Sequence, residues 1–180
     1  PSVTLVGILD ADMSLHFSDY RAGERTFQLI TQVSGRSGRA GEAGKVVLQT
    51  YSPENYILRY AVNYDYEGFF KNEIALRQTT HFPPFSLICR VMVTEEDGAA
   101  LEALKGAYFG CEALRGKFPQ EFIFLNKMHS PIKKIQGKVR YQVLMRLESD
   151  RLLPEIYDLA VKYTTVKALV YVEENPVNLS

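Results

Sequence analysis

The chain has 180 residues, room for one or two domains of the usual ~100–150 residues. Its hydrophobic share of 46%, charged share of 23% and net charge of zero suit a globular protein, and bulk charge points to neither nucleic acid, membrane nor acidic ligand; only a local patch could. Two cysteines, Cys89 and Cys111, with no CxxC pair, argue against a disulfide framework and a cysteine-based zinc site, and no signal-like start or ~18-residue apolar span is read, so a cytoplasmic, reducing setting without a membrane is expected.

The chain opens "PSVTLVGILDAD", without methionine and almost at once apolar, which reads as a piece of a longer protein. The run at 3–9 predicts a strand buried on both faces, as in a parallel sheet. Residues 10–23 read as a polar loop. Asp10 and Asp12 then stand at the C-terminal end of a strand, the edge where open α/β sheets bind ligands, or they simply cap the loop. "ERTFQLITQVSG" predicts a helix with Phe27, Ile30 and Val33 on its apolar face, Leu29 flanking and Gly35 as its stop. Val46 to Tyr51 predicts a second buried strand. "SPEN" predicts a helix start with Ser52 as N-cap and Pro53 at the first helical position. A further helix carrying Phe69, Phe70, Ile74 and Leu76 must end near Thr80, because Pro83 and Pro84 forbid its continuation. The outline so far is α/β.

The domain boundary is expected around 80–85, giving domains 1–82 and 83–180. The second half reads strand, helix, strand, strand, helix, strand: "FSLICRVMVTEE", "DGAALEALKGAYFGCEALRGKF", "EFIFLNKM", "GKVRYQVLMRLES", "RLLPEIYDLAVKYTT" and "VKALVYVEE". That β-α-β-β-α-β order predicts an α+β, ferredoxin-like domain. Pro154 fits its helix only in the first turn.

Between the first helix and the second strand lies "QVSGRSGRAG". Arg36 and Arg39 stand three apart among Gly35, Ser37, Gly38 and Ala40. Arginine offers a permanent charge and a planar fork of donors suited to phosphate, and small neighbours let a phosphate reach the backbone. Two such cations at the end of a sheet-packed helix could meet a γ-phosphate during its transfer. The composition equally fits a flexible, soluble Gly-rich loop.

The order of residues goes further. Gln32 to Arg39, "Q-V-S-G-R-S-G-R", resembles motif VI of superfamily 2 helicases, Q-x-x-G-R-x-G-R, in a helix and loop after a strand that ends in acidic residues. The stretch from "VTLVGILDAD" through "D-Y-R-A-G-E-R-T-F-Q" into that motif resembles the PriA-type replication-restart helicases more closely. "DYEGFFKNEIALRQTTHFPPF" and "SPIKKIQGKVRYQVLMR" resemble later segments of the same family, so the likeness spans essentially the whole chain. It implies a C-terminal piece: the end of a RecA-like second helicase lobe, then the C-terminal domain. By resemblance, Gln32, Gly35, Arg36 and Arg39 line the nucleotide cleft, Arg39 being first choice for the finger on the γ-phosphate and Arg36 its neighbour or a link to DNA. Asp12 and Arg25 would hold that loop's surroundings. The implied reaction is ATP hydrolysis with Mg, driving 3′-to-5′ movement on single-stranded or forked DNA during primosome assembly in bacteria. The implied partners include the single-stranded DNA-binding protein and other primosome proteins.

The chain has no G-x-x-x-x-G-K-[ST] and no DExH-type motif, and zinc belongs only to the family's upstream region. This piece is therefore expected to supply half an ATP site and to be inactive alone. From Phe122 to Leu147 no acidic residue occurs, while Lys127, Lys133, Lys134, Lys138, Arg140 and Arg146 stand with His129 and Tyr141. That segment reads as a DNA-binding surface, with Lys133, Lys134, Lys138, Arg140 and Tyr141 as its candidates, or as a solvated sheet face balanced by Glu148, Asp150 and Glu155. His16, His81 and His129 lack metal or triad spacing. Three readings follow: a helicase segment, a non-catalytic nucleic-acid or protein-binding module, and a phosphate-binding structural domain of another enzyme.

Overall fold

The computed structural model describes residues 4–15, 19–35, 37, 44–95 and 100–176. Arg36, Gly38, Arg39 and Ala40 lie outside the described residues, as does His16. The chain is mixed α/β and divides into two units, Pro1–Thr79 and Thr80–Ser180.

The first unit runs β1 (Leu5–Ile8), α1 (Asp12–Leu15), α2 (Ala22–Ser34), β2 (Lys45–Leu48), α3 (Tyr56–Val62) and α4 (Tyr66–Thr80). β1 and β2 pair in parallel, Leu5 opposite Lys45 and Ile8 opposite Leu48. Phe27 and Ile30 of α2 pack with Ile8, Ile57, Leu58, Ala61 and Phe69 into one apolar core, and Val33 lies against it as expected. Leu29 faces water.

Both strands depart from the expected full burial. Leu5, Leu9 and Val47 are 62%, 79% and 50% exposed. A parallel strand is buried on both faces only inside a wider sheet layered with helices, and β1 and β2 form a two-stranded sheet among the described residues. The expected loop at 10–23 also contains a helix, α1, whose Met13 N–H is capped by the Asp10 carboxylate at 3.2 Å. Ser52 is not the N-cap of α3. Residues 52–55 make a turn closed by Asn55 N–H to the Ser52 carbonyl, and Asn55 Oδ1 accepts from Ile57 N–H at 2.9 Å. Asn outranks Pro-led starts here because its short amide oxygen reaches an orphan N–H of the first turn. Asn55→Ala should therefore lower stability by about 1 kcal/mol in urea unfolding, and Ser52→Ala by far less; equal losses would return the cap to Ser52.

The second unit runs β3 (Leu87–Glu95), α5 (Ala100–Lys117), a 3-10 turn at Pro119–Glu121, β4 (Phe122–Ile135), β5 (Lys138–Leu147), α6 (Leu153–Tyr163) and β6 (Ala168–Glu174). Its sheet is antiparallel with strand order β4-β5-β3-β6. The expected β-α-β-β-α-β order is present, and Pro154 sits in the first turn of α6, where its missing N–H costs nothing. Side chains alternate across the sheet. Cys89, Val91 and Val93 of β3, Val143, Met145 and Leu147 of β5 and Val170 of β6 form one apolar face, closed over by Ala103, Leu104, Ala107 and Cys111 of α5 and Ile156 and Ala160 of α6. Both cysteines are free and buried in that core, and burial pushes the Cys111 thiol up to about 12. A Cβ on Gly106 or Gly110 would strike Tyr163 or Leu159, so these glycines permit the close approach of α5 to α6.

No described helix is long and apolar enough to cross a membrane.

Candidate functional site

Helix α2 is fixed at its start by its own sequence. Asp19 accepts the Arg21 N–H at 2.9 Å and pairs with the Arg25 guanidinium at 2.9 Å. The Asp19 carboxylate is buried, which ties the first turn of α2 to the loop before it. Thr26 links α2 to α1 through the Ser14 hydroxyl at 2.8 Å. The helix ends at Ser34, followed by Gly35 at φ −65°, so no left-handed glycine terminates it. The stop comes instead from Ser37, whose N–H and Oγ both donate to the Ser34 carbonyl, at 3.1 and 2.9 Å. A serine that offers two local donors competes with the next helical turn. Gln32 and Gly35 are exposed at this end. Arg36 and Arg39 follow directly in sequence, outside the described residues.

The acidic residues after β1 have a different task. Asp12 is buried, and both its oxygens are taken by protein: Thr50 Oγ donates at 2.9 Å and Tyr51 N–H at 2.7 Å. It staples the C-terminal ends of β1 and β2. The Tyr51 N–H bond holds its carboxyl below the ordinary value, opposed by burial and helped by Thr50. The lowered value makes the staple's contribution complete above the unfolded carboxyl's range and lost as pH falls through the folded one. Asp12 and Arg25, expected to hold the surroundings of the arginine loop, are held by these partners, and most of that loop lies outside the described residues. Arg25 lies in the first turn of α2, Asp12 at the strand ends, and the thirteen residues of α2 span about 20 Å before Gly35.

A charged network that sequence reading missed braces α2 against α4. Arg77 pairs with Glu24 at 3.0 Å and with Glu73 at 3.0 Å. The Tyr56 hydroxyl donates to the other Glu73 oxygen at 3.0 Å. Desolvation, and then the Glu73 charge, push Tyr56 up to about 12. Arg77 also lies over the Tyr20 ring, 4.9 Å from its centroid. The i,i+4 spacing of Glu73 and Arg77 was the available signal, but such a pair usually marks a solvated helix face.

The basic segment does not form one stripe. In β5, Lys138, Arg140 and Arg146 alternate with Tyr141, Val143 and Met145, so the cations point away from the helices. Lys127 and His129 point the other way. Lys127 lies 4.4 Å over the Tyr108 ring of α5, and His129 packs on its cross-strand partner Tyr141 at 4.7 Å. Tyr141 is half-buried, resting against the core. Arg146 donates to the Thr80 carbonyl at 3.0 Å and covers the Phe82 ring at 4.5 Å. Eight residues of strand put Arg146 about 26 Å from Lys138. What the fold does gather is the hairpin tip. Gln136 and Gly137, both with positive φ (49° and 85°), make a tight two-residue turn that places exposed Lys133, Lys134 and Lys138 at the hairpin tip, Lys134 opposite Val139 and so on the other face from Lys138, with half-buried Arg140 two residues along.

These features define a class first: an α/β unit whose central helix ends in Q-x-x-G-R-x-G-R, joined to an α+β unit with a basic hairpin. No family model matches the chain. It is 40% identical over 152 residues to the replication restart protein PriA of Bacillus subtilis, covering 83% of this chain and 18% of that protein. It is 37% identical over 145 residues to replication restart protein PriA of Rickettsia conorii, covering 81% and 22%. It is 33% identical over 181 residues to replication restart protein PriA of Treponema pallidum, covering 99% and 27%. The chain belongs to the PriA family, and it spans between about a fifth and a quarter of the length of these relatives.

Proposed function

We propose that this chain is the C-terminal part of an ATP-dependent 3′-to-5′ DNA helicase that restarts replication at stalled forks. Its first unit is a partial RecA-like lobe, and its second a ferredoxin-like domain. The observation that carries this reading is the Q-x-x-G-R-x-G-R sequence at the C-terminal end of a braced, sheet-packed helix, in a chain whose relatives are replication restart proteins. The sheet order β4-β5-β3-β6, with both helices on one face, supports the ferredoxin-like reading.

In this account Gln32, Gly35, Arg36 and Arg39 belong to a nucleotide site completed by another lobe. Gln32 and Gly35 stand open at the helix end, and the residues that follow Gly35 in sequence include Ser37, Gly38 and Ala40, small enough to let a phosphate approach a backbone. Mg-bound ATP would supply the γ-phosphate. The arginines would offset the charge spread over its oxygens as it transfers, Arg39 as the finger and Arg36 beside it. The second unit would contact single-stranded or forked DNA through Lys133, Lys134, Lys138 and Arg140, with half-buried Tyr141 beside them. Its other partners would be the single-stranded DNA-binding protein and primosome proteins.

The exposed hairpin tip also supports a second reading, a nucleic-acid-binding module that acts without the motor. A titration with labelled single-stranded DNA across salt concentrations tests the DNA-binding part common to both. Single strands release about 0.7 counterions per phosphate neutralised, so Lys133→Ala/Lys134→Ala/Lys138→Ala should lower the slope of log affinity against log salt by about 2. An unchanged slope would leave the tip a solvated end of the sheet.

A further inference from the structure

Helices α2 and α4 enclose a cavity of about 160 Å³ that the nucleotide and DNA sites do not use. Phe27 and Phe69, stacked at 4.6 Å and both buried, form its floor. Tyr66 meets Phe27 edge-on at 6.1 Å, and Phe70 stacks on Tyr66 at 6.3 Å. Tyr66 and Phe70 are 61% and 49% exposed, so these walls keep much of their ring area in water. Glu24 and Glu73 line the same cavity. The two carboxylates are the charged groups among the lining residues, and Arg77 pairs with both. Arg25 pairs with Asp19, and none of Arg21, Arg25 and Lys71 lines the cavity.

Aromatic rings present negative faces, and here they converge with two carboxylates, of which Glu24 is partly open to water. That combination selects a cation with an apolar stem. A nucleic acid would bring phosphates against the two carboxylates, and a purely apolar group would desolvate Glu24 without replacing its water. We propose that the α2–α4 cavity is a docking site for a lysine or arginine side chain presented by a partner protein. The stem of that side chain would lie along Tyr66 and Phe70, with its charged head at Glu24.

The test is a titration of the full chain with a blocked Gly-Gly-Lys-Gly-Gly peptide, following the aromatic NMR resonances of Tyr66 and Phe70. The arginine counterpart is run in parallel, with a norleucine counterpart as the neutral control. Lysine and arginine peptides should shift both resonances saturably, and norleucine should bind more weakly. Phe70→Ala and Glu24→Gln should each weaken the lysine peptide by about three- to tenfold, the range of a partly desolvated cation–π contact. Phe70 is half-exposed, and the amide oxygen introduced by Glu24→Gln would still accept from Arg77, so both variants should keep the wild-type circular dichroism. Equal binding of the norleucine peptide would overturn the proposal in favour of an apolar groove. The same resonances moving with oligothymidylate, and not with peptide, would make this a base-stacking surface. No peptide-induced shift up to millimolar concentration would remove the site altogether.

Discussion

Replacing Arg39 by alanine in the full-length parent should reduce DNA-stimulated ATP hydrolysis by about a thousandfold or more, the scale of a lost arginine finger. The expectation rests on chemistry that the rest of the first unit makes room for. α2 is held at one end by Asp19 and Arg25 and stopped at the other by Ser37, so the residues after it start from a fixed point. A guanidinium there acts only on charge that develops in the transition state, so ATP binding should change far less than turnover. Arg39→Lys keeps the charge but loses the planar fork, and should recover little. Parallel losses in binding and turnover would instead make Arg39 an ordinary phosphate anchor. If Arg36→Ala alone abolished turnover, the finger would be Arg36.

Glu73→Ala should have the largest effect on folding. Glu73 is 7% exposed and accepts from Tyr56 and Arg77, and its Oε2 lies 3.3 Å from where a Cβ on Gly23 would stand. Removing the carboxylate leaves the Tyr56 hydroxyl without its acceptor. Arg77, whose side chain is 11% exposed, is left with Glu24 as its remaining carboxylate. Breaking one partner out of a buried pair costs about 3 kcal/mol at the lower end of such measurements, and Glu24 holds the value near that end. Urea unfolding monitored by circular dichroism reads the loss. Glu73→Gln, which still accepts hydrogen bonds, should lose less. A change under about 0.5 kcal/mol for Glu73→Ala would show the network to be surface decoration.

The second unit was legible because apolar runs and turn residues separate its six elements, Pro83 and Pro84 mark where the helix before it must stop, and Pro154 fits only a first helical turn. The burial of β1 and β2 was misread because an apolar run records what a strand can pack against, while Leu5 and Val47 find only a two-stranded sheet among the described residues. The basic segment looks continuous in sequence because linear spacing hides the alternation of a strand. Residues 127 and 129 go to one face, 138, 140 and 146 to the other. Asp12 has the sequence look of a ligand-edge carboxylate, yet its bonds to Thr50 and Tyr51 join residues 38 and 39 positions away, which no local pattern contains. The aromatic and acidic cavity escaped for the same reason: Phe27 and Phe69 meet only once α2 and α4 pack.

The central claim is that this chain carries one side of an ATP site and needs another lobe to complete it. Steady-state ATP hydrolysis by the isolated 180-residue chain, with and without single-stranded DNA and beside the full-length parent, tests it most directly. The expected result is turnover by the parent, lost in its Arg39→Ala variant, and none by the isolated chain. Turnover by the isolated chain that Arg39→Ala removes would contradict the account, because it would mean that the site is complete within these residues.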